Sequence, residues 1–387
     1  MVFKENDLIL AQDKYYSMNC YETQLNNNVL VVGTSGSGKT RSIVTPNLLQ
    51  ATGSYVVSDP KGNLYKKYKE YMEEKGYKVK RLDLVHPERS DHYNFFEYIT
   101  SERDILKVSH MLVGKIEEGN HDHFWDHSAE IMVSALIAYL LEFARPEERT
   151  LKYLLKLVNN CKAAGGRRNG STVQKMMEEA KSQNPNSFAV KQFEKVDIAP
   201  EKTYECILVT IQAKLGMLDC DSLQKMTSKD DFDFRSIGCE KTAVFVVVSD
   251  TDRSMDRLAN IFFSQAMNEL CHYADEECED NRLPVDVRFV MDDFATNVVI
   301  DEFPRMISSI RSRGISTMLM IQAESQLQNT YGMDGRTIIA NCDTYVYLGG
   351  NDVETAEAVS KRCNMLLEKV LYMPVGNCWI FRRGEKP

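Results

Sequence analysis

The amino-acid sequence predicts an α/β protein with a mostly parallel central sheet, interrupted by an all-α domain. Short apolar runs alternate with helical segments over residues 1–100, and the same alternation resumes over residues 238–387. Residues 101–237 between them show helical periodicity alone. Strand–helix alternation is typical of parallel sheets, because each parallel connection crosses over through a helix. We therefore expect one domain built from two chain segments, with a second domain inserted between them.

The first segment is predicted to contain three strands and two helices. Each strand is a short apolar run, and each helix carries apolar residues at helical spacing. In order, we predict a strand at 28–33, a helix at 39–50, a strand at 55–59, a helix at 64–75 and a strand at 77–84.

The inserted segment is predicted to be a set of helices. Its longest nearly apolar run, Ile131–Phe143, is too short to span a bilayer and contains Ser134, so it predicts a buried helix. The predicted helices cover 104–116, 124–144, 151–160, 171–182 and 204–218.

The last segment returns to strand–helix alternation. Together with the first segment it supplies about eight strands for one sheet. In order, we predict a strand at 242–250, a helix at 254–273, a strand at 285–293, a helix at 300–313 and strands at 316–322, 343–350 and 378–381.

Composition excludes several classes of protein. With 43% hydrophobic and 27% charged residues the chain is globular rather than disordered. Its net charge of -9 disfavours a protein that coats itself in nucleic acid, since that requires a surplus of Lys and Arg, although a local basic channel is compatible. Ten cysteines without any CxxC pair indicate reduced thiols rather than disulfides or a zinc site.

A glycine-rich segment follows the first predicted strand. The sequence GTSGSGKT, Gly33–Thr40, fits the phosphate-loop pattern G-x-x-x-x-G-K-[ST] without a mismatch. Glycines let backbone N–H groups curl around phosphate oxygens, the lysine reaches the outer phosphates, and the threonine hydroxyl binds Mg²⁺. The residues predicted to bind the nucleotide, ATP, are Gly33, Thr34, Ser35, Gly36, Ser37, Gly38, Lys39, Thr40 and Arg41.

Two acidic pairs compete for the role of the magnesium-site acid, Asp292-Asp293 and Asp301-Glu302. Such an acid, called Walker B, stands at the end of an apolar strand beside the phosphate loop. Asp292 follows the apolar run FVM and fits that position, whereas a strand ending before Asp301 leaves almost no connection after Asp293. We predict that Asp292 is the metal-site acid and that the second pair begins a helix, where acids favour the macrodipole.

Asp293 stands where ATPases of this architecture commonly place a glutamate that polarises the attacking water. Its carboxylate is one methylene closer to the backbone, and a misplacement of about 1 Å can lower a rate on the order of a hundredfold. Three alternatives follow from the sequence: a slow ATPase, an ATPase that uses a water relay, and a nucleotide-binding site that barely hydrolyses.

Three further polar residues flank the predicted strand 316–322. Gln322 ends it and is a candidate to sense the γ-phosphate or orient water, the alternative being a simple strand cap. Arg311 and Arg313 lie at the end of the helix predicted before it, where arginine is ordinarily a partner of the helix dipole. In a ring of subunits, one of them can instead reach the nucleotide of a neighbour as an arginine finger.

Several motifs together resemble the soluble domain of type IV secretion coupling proteins, which are conjugative DNA-transfer ATPases related to FtsK-like and other RecA-like motors. The resemblance covers nearly the whole chain, and the joint occurrence of SDPKG with SIRSRGIS…Q is far more specific than the phosphate loop alone. The matching stretches are GTSGSGKTRSIVTPNLLQATGSYVVSDPKGNLY, VVSDTDRSMDRLANIFFSQ, FVMDDF, ISSIRSRGISTMLMIQAESQLQNTYG and NCDTYVYLGG.

The resemblance implies a RecA-like P-loop NTPase domain, with ATP and Mg²⁺ as cofactors. Residues 1–100 and 238–387 are then the nucleotide-binding domain, and residues 101–237 the all-α domain that contacts cargo. It places Thr40 and Asp292 at the metal and leaves Asp59 of SDPKG near the phosphate loop without a derived role. Carried over by motif, the catalytic residues are Lys39, Asp292, Asp293, Gln322 and Arg311, the last as the best candidate finger.

The resemblance also implies partners and a location. Members of that family form a ring of six below the inner membrane and couple relaxase-bound single-stranded DNA, or effector proteins, to the type IV secretion channel. We therefore expect a homo-hexamer at the cytoplasmic face of the bacterial inner membrane, attached through a segment outside this chain, because members usually carry N-terminal transmembrane helices. The alternatives are a docking receptor that hydrolyses little and a chromosome-pumping or packaging motor of the same superfamily.

Two polar segments carry no site prediction. HDHFWDH at 121–127 places two histidines one helical turn apart, but the spacing is not HExxH and no further ligand is evident. GGRRNG at 165–170 is basic enough to touch DNA phosphates, yet a solvated loop is the commoner origin of such a sequence.

Overall fold

The computed structural model of the chain describes residues 7–114, 123–162, 170–296 and 298–387. Parts of both segments without a site prediction, residues 121–122 and 165–169, therefore lie outside the described residues. The chain forms two compact units, one made of Met1–Val85 with Asp233–Pro387 and the other of His86–Phe232.

The boundaries of these units differ from those that the sequence predicts, which fall after residues 100 and 237. An aromatic segment near residue 93 accounts for the first difference. The Tyr93 N–H donates to the Met226 carbonyl at 2.9 Å, and the Tyr93 ring lies edge-on to Phe232 with centroids 6.2 Å apart. These contacts tie the segment to the helical unit. The assignment of functions to the two domains stays a prediction.

The first unit contains a hairpin and an eight-stranded sheet. The hairpin, β1 (Asp7–Ala11) and β2 (Lys14–Ser17), was not predicted, because its strands are short and only weakly alternating. The sheet strands are β3 (Val29–Val32), β4 (Ser54–Pro60), β5 (Lys78–Asp83), β6 (Thr242–Val248), β7 (Val287–Met291), β8 (Ile315–Ile321), β9 (Thr344–Tyr347) and β10 (Trp379–Arg382).

The sheet order is β10-β9-β3-β8-β7-β4-β6-β5, and every neighbouring pair is parallel except the edge pair β9–β10. Strands β3, β6 and β7 are buried along their whole length. Continuous burial is what a parallel sheet covered on both faces requires. The predicted α/β class, the mostly parallel sheet and the strand number are confirmed.

The helices lie on the chain in the following order. They are α1 (Cys20–Thr23), α2 (Thr45–Leu49), α3 (Asn63–Glu74), α4 (Glu102–Val113), α5 (His123–Glu142), α6 (Leu151–Asn159), α7 (Thr172–Gln183), α8 (Phe188–Asp197), α9 (Glu201–Leu215), α10 (Asp221–Met226), α11 (Phe234–Ile237), α12 (Asp256–Glu276), α13 (Phe303–Met306), α14 (Glu324–Tyr331), α15 (Gly335–Ala340), α16 (Val353–Cys363) and α17 (Leu367–Leu371).

The second unit is helical from α4 to α10, as the sequence predicts. Helix α5 is its centre and packs against α4, α8 and α9. Its middle, from Met132 to Ala138, is fully buried, which confirms the predicted buried helix. Within the described ranges, no helix is both long and apolar enough to cross a membrane.

One predicted helix, at 300–313, is wrong. The structure has only the single turn α13 there, followed by a 3₁₀ turn at Ile310–Arg313. Between them the hydroxyls of Ser308 and Ser309 donate to the carbonyls of Arg305 and Met306, at 2.7 and 3.0 Å. Serine side chains that bond nearby backbone groups compete with helical hydrogen bonds.

The register of the central strands brings several loops to one edge of the sheet. Strand β8 lies between β3 and β7, with Val32 paired to Ile321 and Met291 paired to Leu319. All three strands are parallel, so the segments that follow them emerge side by side. These segments begin at residues 33, 292 and 322.

Candidate functional site

The phosphate loop has the backbone that its glycines allow. Gly36 and Gly38 adopt φ values of 78° and 92°, which lie in the left-handed region that disfavours residues with a Cβ. Within the described part of the chain, the N–H groups of Gly38 and Lys39 have no acceptor, and the buried Ser37 hydroxyl has no hydrogen-bond partner. Donors left over in a glycine-rich loop fit the oxygens of a phosphate.

Lys39 is folded into the loop. Its side chain is 7% exposed, and its ammonium donates to the carbonyls of Gly33 at 2.6 Å and Thr34 at 3.2 Å. Burial lowers the pKa of Lys39, while the charges of Asp293 and Asp292 oppose that shift. The lysine is therefore a buried cation whose direct acceptors are neutral, which suits it to bind an anion.

Asp292 and Thr40 meet across the sheet edge. The Thr40 hydroxyl donates to a carboxylate oxygen of Asp292 at 2.6 Å, and Asp292 is only 7% exposed. Burial raises the pKa of Asp292, and the neighbouring charge of Asp293 raises it further, against the lowering effect of the Thr40 hydrogen bond. A hydroxyl and a carboxylate in contact form the pair of hard oxygen ligands that Mg²⁺ prefers.

The residues around this pair fit magnesium better than a transition metal. No group of three or more His, Cys, Asp and Glu side chains able to hold a metal occurs among the residues that the structure describes. Magnesium usually keeps several waters and takes only one or two protein ligands beside substrate phosphates. All ten cysteines are free in the structure.

Asp293 lies directly after Asp292 in a left-handed backbone conformation, with φ of 52°. It is partly exposed, and its charge acts on both Lys39 and Lys61. Aspartate is one of the few residue types with a Cβ that adopt this conformation readily.

Gln322 follows β8 beside the loop, as the strand register predicts. The Gly33 N–H donates to the Ile321 carbonyl at 3.1 Å, so Gln322 begins next to the first loop residue. Its side chain is exposed, and its backbone N–H donates to the side-chain oxygen of Gln326 at 2.7 Å. Gln326 thus supports the backbone at Gln322, a role that the sequence did not reveal.

The other acidic pair lies in the turn before α13. Asp301 and Glu302 are exposed and form a turn, and Glu302 is the residue before α13. The pair thus directly precedes a helix, close to where the sequence puts a helix start, although that helix is shorter than predicted.

Asp59 has a clear structural role that the sequence did not provide. Its two carboxylate oxygens accept the N–H groups of Leu64 at 3.0 Å and Tyr65 at 2.8 Å, in the first turn of α3. The residue is 1% exposed, and burial raises its pKa against the lowering effect of these hydrogen bonds. Asp59 therefore fixes the start of α3 from the end of β4, one strand away from Asp292.

A second pair near Asp59 was also missed. The Lys61 ammonium lies 2.7 Å from a carboxylate oxygen of Asp250, which follows β6. The pKa of Lys61 is raised, first by its hydrogen bond to Asp250 and then by the charges of Asp250 and Asp293. Both residues directly follow buried parallel strands, and that placement is the signal that could have identified them.

We expect the replacement of Asp59 by alanine to lower the free energy of unfolding by about 1–2 kcal/mol, the usual cost of losing a helix cap. Because burial raises the pKa of Asp59, its ionisation weakens the folded state. The difference between wild type and Asp59→Ala therefore grows as the pH falls from neutral toward the ordinary aspartate pKa of 3.8. Urea unfolding at several pH values measures it.

Asp250→Ala is the matched control, because it removes an acid from the same sheet edge. Its partner Lys61 is 62% exposed, so solvent screens the lost ion pair and the free energy of unfolding changes little. Equal losses for the two variants would contradict the capping role of Asp59.

Arg311 and Arg313 do not join the other predicted residues. Both precede β8, whereas Gln322 follows it, and a strand of seven residues separates the two ends by about 20 Å. Arg311 donates to the Cys20 carbonyl at 2.9 Å, and Arg313 forms a two-pronged ion pair with Asp275 at 2.8 and 2.7 Å. Neither guanidinium lies at the phosphate loop of its own chain.

Comparison with known proteins identifies the family and the fold. The family model described as Type IV secretory system Conjugative DNA transfer matches residues 4–366. The chain is 21% identical over 351 residues to the type IV secretion system-coupling protein VirD4 of Bartonella henselae, covering 87% of this chain and 52% of that protein. The chain thus spans about half the length of the curated relatives that it matches.

Solved structures show the same fold. The bacterial conjugative coupling protein TrwBdeltaN70, in a trigonal form with sulphate, superposes with a TM-score of 0.71 at 15% identity, covering all of this chain and 88% of the other. Plasmid coupling protein TrwB in complex with ADP and Mg²⁺ gives 0.69 at 16% identity, with the same coverage. At such identities the likeness establishes the fold, and the predicted RecA-like P-loop class is confirmed.

Proposed function

Because the chain belongs to the type IV secretory system conjugative DNA transfer family, we propose that it is the nucleotide-binding part of a coupling ATPase. Such a protein brings single-stranded DNA carrying a relaxase, or effector proteins, to a type IV secretion channel. The observation that carries the proposal is the contact of Thr40 with Asp292 beside the buried Lys39, at one edge of a parallel sheet.

ATP is the proposed substrate, held by the loop Gly33–Arg41. The N–H groups of Gly38 and Lys39, the Ser37 hydroxyl and the Lys39 ammonium are donors with the right character for its phosphates. Thr40 and Asp292 would hold Mg²⁺, which neutralises developing charge on the phosphate oxygens when bound. The complex of TrwB with ADP and Mg²⁺ supports both cofactors.

Hydrolysis requires groups that orient the attacking water. We assign Asp293 to polarise that water and Gln322 to hold it or sense the outer phosphate, since both emerge beside the loop. We assign Lys39 to bind the phosphates, because its ammonium group donates hydrogen bonds and carries the charge opposite to theirs. Catalysis then rests on positioning and charge stabilisation.

Arg311 completes the site only from a neighbouring copy. It lies a full strand length from the loop of its own chain, so a role as arginine finger requires a ring in which this edge faces the neighbour's nucleotide. We propose a homo-hexamer, with Arg311 rather than the ion-paired Arg313 as the finger. The ring would sit at the cytoplasmic face of the inner membrane.

The helical unit is the proposed cargo-binding part. It is formed by His86–Phe232 and has its own buried core around α5. Its role in contacting relaxase–DNA or effector proteins, and the contacts of the ring with other secretion components, are inferred from the family.

A second function is favoured by one observation, the aspartate at position 293. If its shorter side chain fails to polarise water, the protein is a docking receptor that binds nucleotide to assemble and hydrolyses little. A third alternative is a chromosome-pumping or packaging motor of the same superfamily, which differs from a coupling ATPase in its cargo.

Steady-state ATPase activity with and without single-stranded DNA tests the main proposal. We expect magnesium-dependent turnover that rises several-fold with DNA under conditions in which the protein forms its ring, since translocation couples cargo to hydrolysis. Lys39→Ala sets the baseline, and double-stranded DNA of equal length is the control for cargo type. Turnover that equals the Lys39→Ala baseline in every oligomeric state would reject the motor and leave the docking receptor.

A further inference from the structure

A large cavity lies at the edge of the sheet opposite the phosphate loop. Its volume is about 1020 Å³, at the upper end of the range for small-molecule sites. Its walls include the starts of the strands β4, β7 and β8 and the chain between β2 and α1. The polar residues that line it include Lys241, Arg282, Asp286, Arg288, Arg311 and Ser316.

Three cationic side chains line this cavity, and each donates hydrogen bonds only to neutral acceptors. Lys241 donates to the Ala51 carbonyl at 3.0 Å, and Arg311 donates to the Cys20 carbonyl at 2.9 Å. Arg288 donates to the Ser316 hydroxyl at 3.2 Å and to a thioether, which is a weak acceptor. Among the described residues, no carboxylate forms an ion pair with any of the three.

Of these three cations, Arg288 gives the strongest evidence for an anion-binding site. It is 6% exposed, and it stands in the middle of the row Tyr55, Arg288 and Ser316 that crosses three neighbouring strands. Burial lowers the pKa of its guanidinium, against the raising effect of Tyr55 and Asp286. A buried charge without a paired anion is strongly destabilising, so a purely structural role gives no reason to keep it.

The cavity is also lined by three acids, Asp7, Glu22 and Asp286, and among the described residues none of them forms an ion pair with Arg288. Asp286 is taken by Arg282, whose guanidinium lies 2.6 Å from its carboxylate. Glu22 also lines the wall, where it accepts the Ser17 hydroxyl at 3.2 Å. The cavity therefore presents three guanidinium or ammonium groups that are free to bind an incoming anion.

We propose that this cavity is a second anion site, which takes a phosphate-bearing ligand between Arg288, Arg311 and Lys241. A phosphate group matches the site in two ways. It carries enough charge for several cations, and its oxygens match the fork of an arginine. A volume of about 1020 Å³ holds more than a lone phosphate, so an oligophosphate or a nucleotide is the fitting class.

The phosphate can come from two sources. One is a free phosphate compound that binds this chain alone. The other, which rests on the proposed function, is the nucleotide held by a neighbouring copy, because Arg311 belongs to both the cavity and the proposed finger. In that case Arg288 and Lys241 act on the neighbour's phosphates together with Arg311.

Binding of inorganic pyrophosphate to the full chain tests the proposal. Lys39→Ala serves as parent, so that the phosphate loop contributes little, and titration calorimetry measures affinity at low salt. Adding Arg288→Gln is expected to weaken binding about tenfold or more, the scale of a lost charge-assisted hydrogen bond in a dry site. Adding Arg336→Gln, which changes the same charge on an exposed arginine outside the cavity, leaves affinity unchanged.

Two further measurements separate binding from folding. Arg288→Gln removes an unpaired buried charge, so without pyrophosphate its thermal midpoint is expected to equal or exceed that of the parent. Lys241→Gln, which changes another cation of the cavity, is expected to weaken binding as well and covers the case in which Arg288→Gln does not fold. Failure of the parent to bind pyrophosphate, or equal affinities for all these chains, overturns the proposal.

ATPase activity of single variants and of their mixtures identifies the source of the phosphate. If the ligand is a neighbour's nucleotide, Arg288→Gln alone loses ATPase activity and regains it when mixed with Lys39→Ala. If it is a free compound, Arg288→Gln alone hydrolyses ATP like wild type although its pyrophosphate binding is lost. Pyrophosphate binding needs no hydrolysis, so the anion site can hold even if the proposed ATPase fails.

Discussion

Lys39→Ala is expected to weaken ATP binding by about a hundredfold or more and to remove turnover. The lysine is a buried cation with only backbone carbonyls as direct acceptors, so its bonds to phosphate form in a site that excludes water. Each charge-assisted hydrogen bond in such a place contributes roughly 1.5–3 kcal/mol, and the ammonium can make more than one. Calorimetry with a non-hydrolysable ATP analogue and Mg²⁺ measures the loss.

Lys66→Ala is the matched control for this change. It removes an identical charge from the exposed face of α3 in the same unit, and it leaves the loop untouched. We expect its affinity to equal that of wild type. A Lys39→Ala chain that binds the analogue as tightly as Lys66→Ala would show that Gly33–Thr40 is a glycine turn without a nucleotide.

The loop and its partner acid could be predicted because each depends on short-range sequence. Residues 33–40 have a fixed pattern, and Asp292 follows an apolar strand whose neighbours in a parallel sheet are set by strand order. The contact of Thr40 with Asp292 spans 252 residues of chain, yet it follows from two local features and one topology.

Other features depend on contacts that no local pattern encodes. The helix predicted at 300–313 is interrupted in the structure, because serine hydroxyls there donate hydrogen bonds to backbone carbonyls. Its apolar residues nevertheless have helical spacing. The role of Asp59 depends on the turn that brings Leu64 and Tyr65 back to the end of β4. The cation cavity joins strand starts that lie far apart in sequence, so only the fold reveals it.

At position 293 the backbone conformation favours aspartate, whereas the proposed catalytic role favours a longer side chain. Its φ of 52° is a conformation in which aspartate is tolerated better than glutamate, because a short polar side chain can bond locally. The proposed role of polarising water favours glutamate instead, because a glutamate carboxylate extends one methylene further toward the phosphates. The backbone at position 293 therefore favours aspartate, although the aspartate carboxylate extends less far toward the phosphates.

Asp293→Glu is accordingly expected to raise ATPase turnover, by up to on the order of a hundredfold if about 1 Å of reach limits the wild type. It is also expected to lower the free energy of unfolding by up to about 1 kcal/mol, because glutamate fits the left-handed backbone less well. Single-turnover kinetics and urea unfolding measure the two effects. Affinity for ATP should not change, since Lys39 and Asp292 remain in place.

Asp292→Asn, added to wild type and to Asp293→Glu, separates chemistry from a general loosening of the site. It removes the magnesium carboxylate but keeps an acceptor for the Thr40 hydroxyl, so both chains should lose turnover while staying folded. A gain in Asp293→Glu that survives this change would come from another ATPase. No gain at all would mean that side-chain length does not limit hydrolysis, and together with basal wild-type turnover it would favour the docking receptor over the motor.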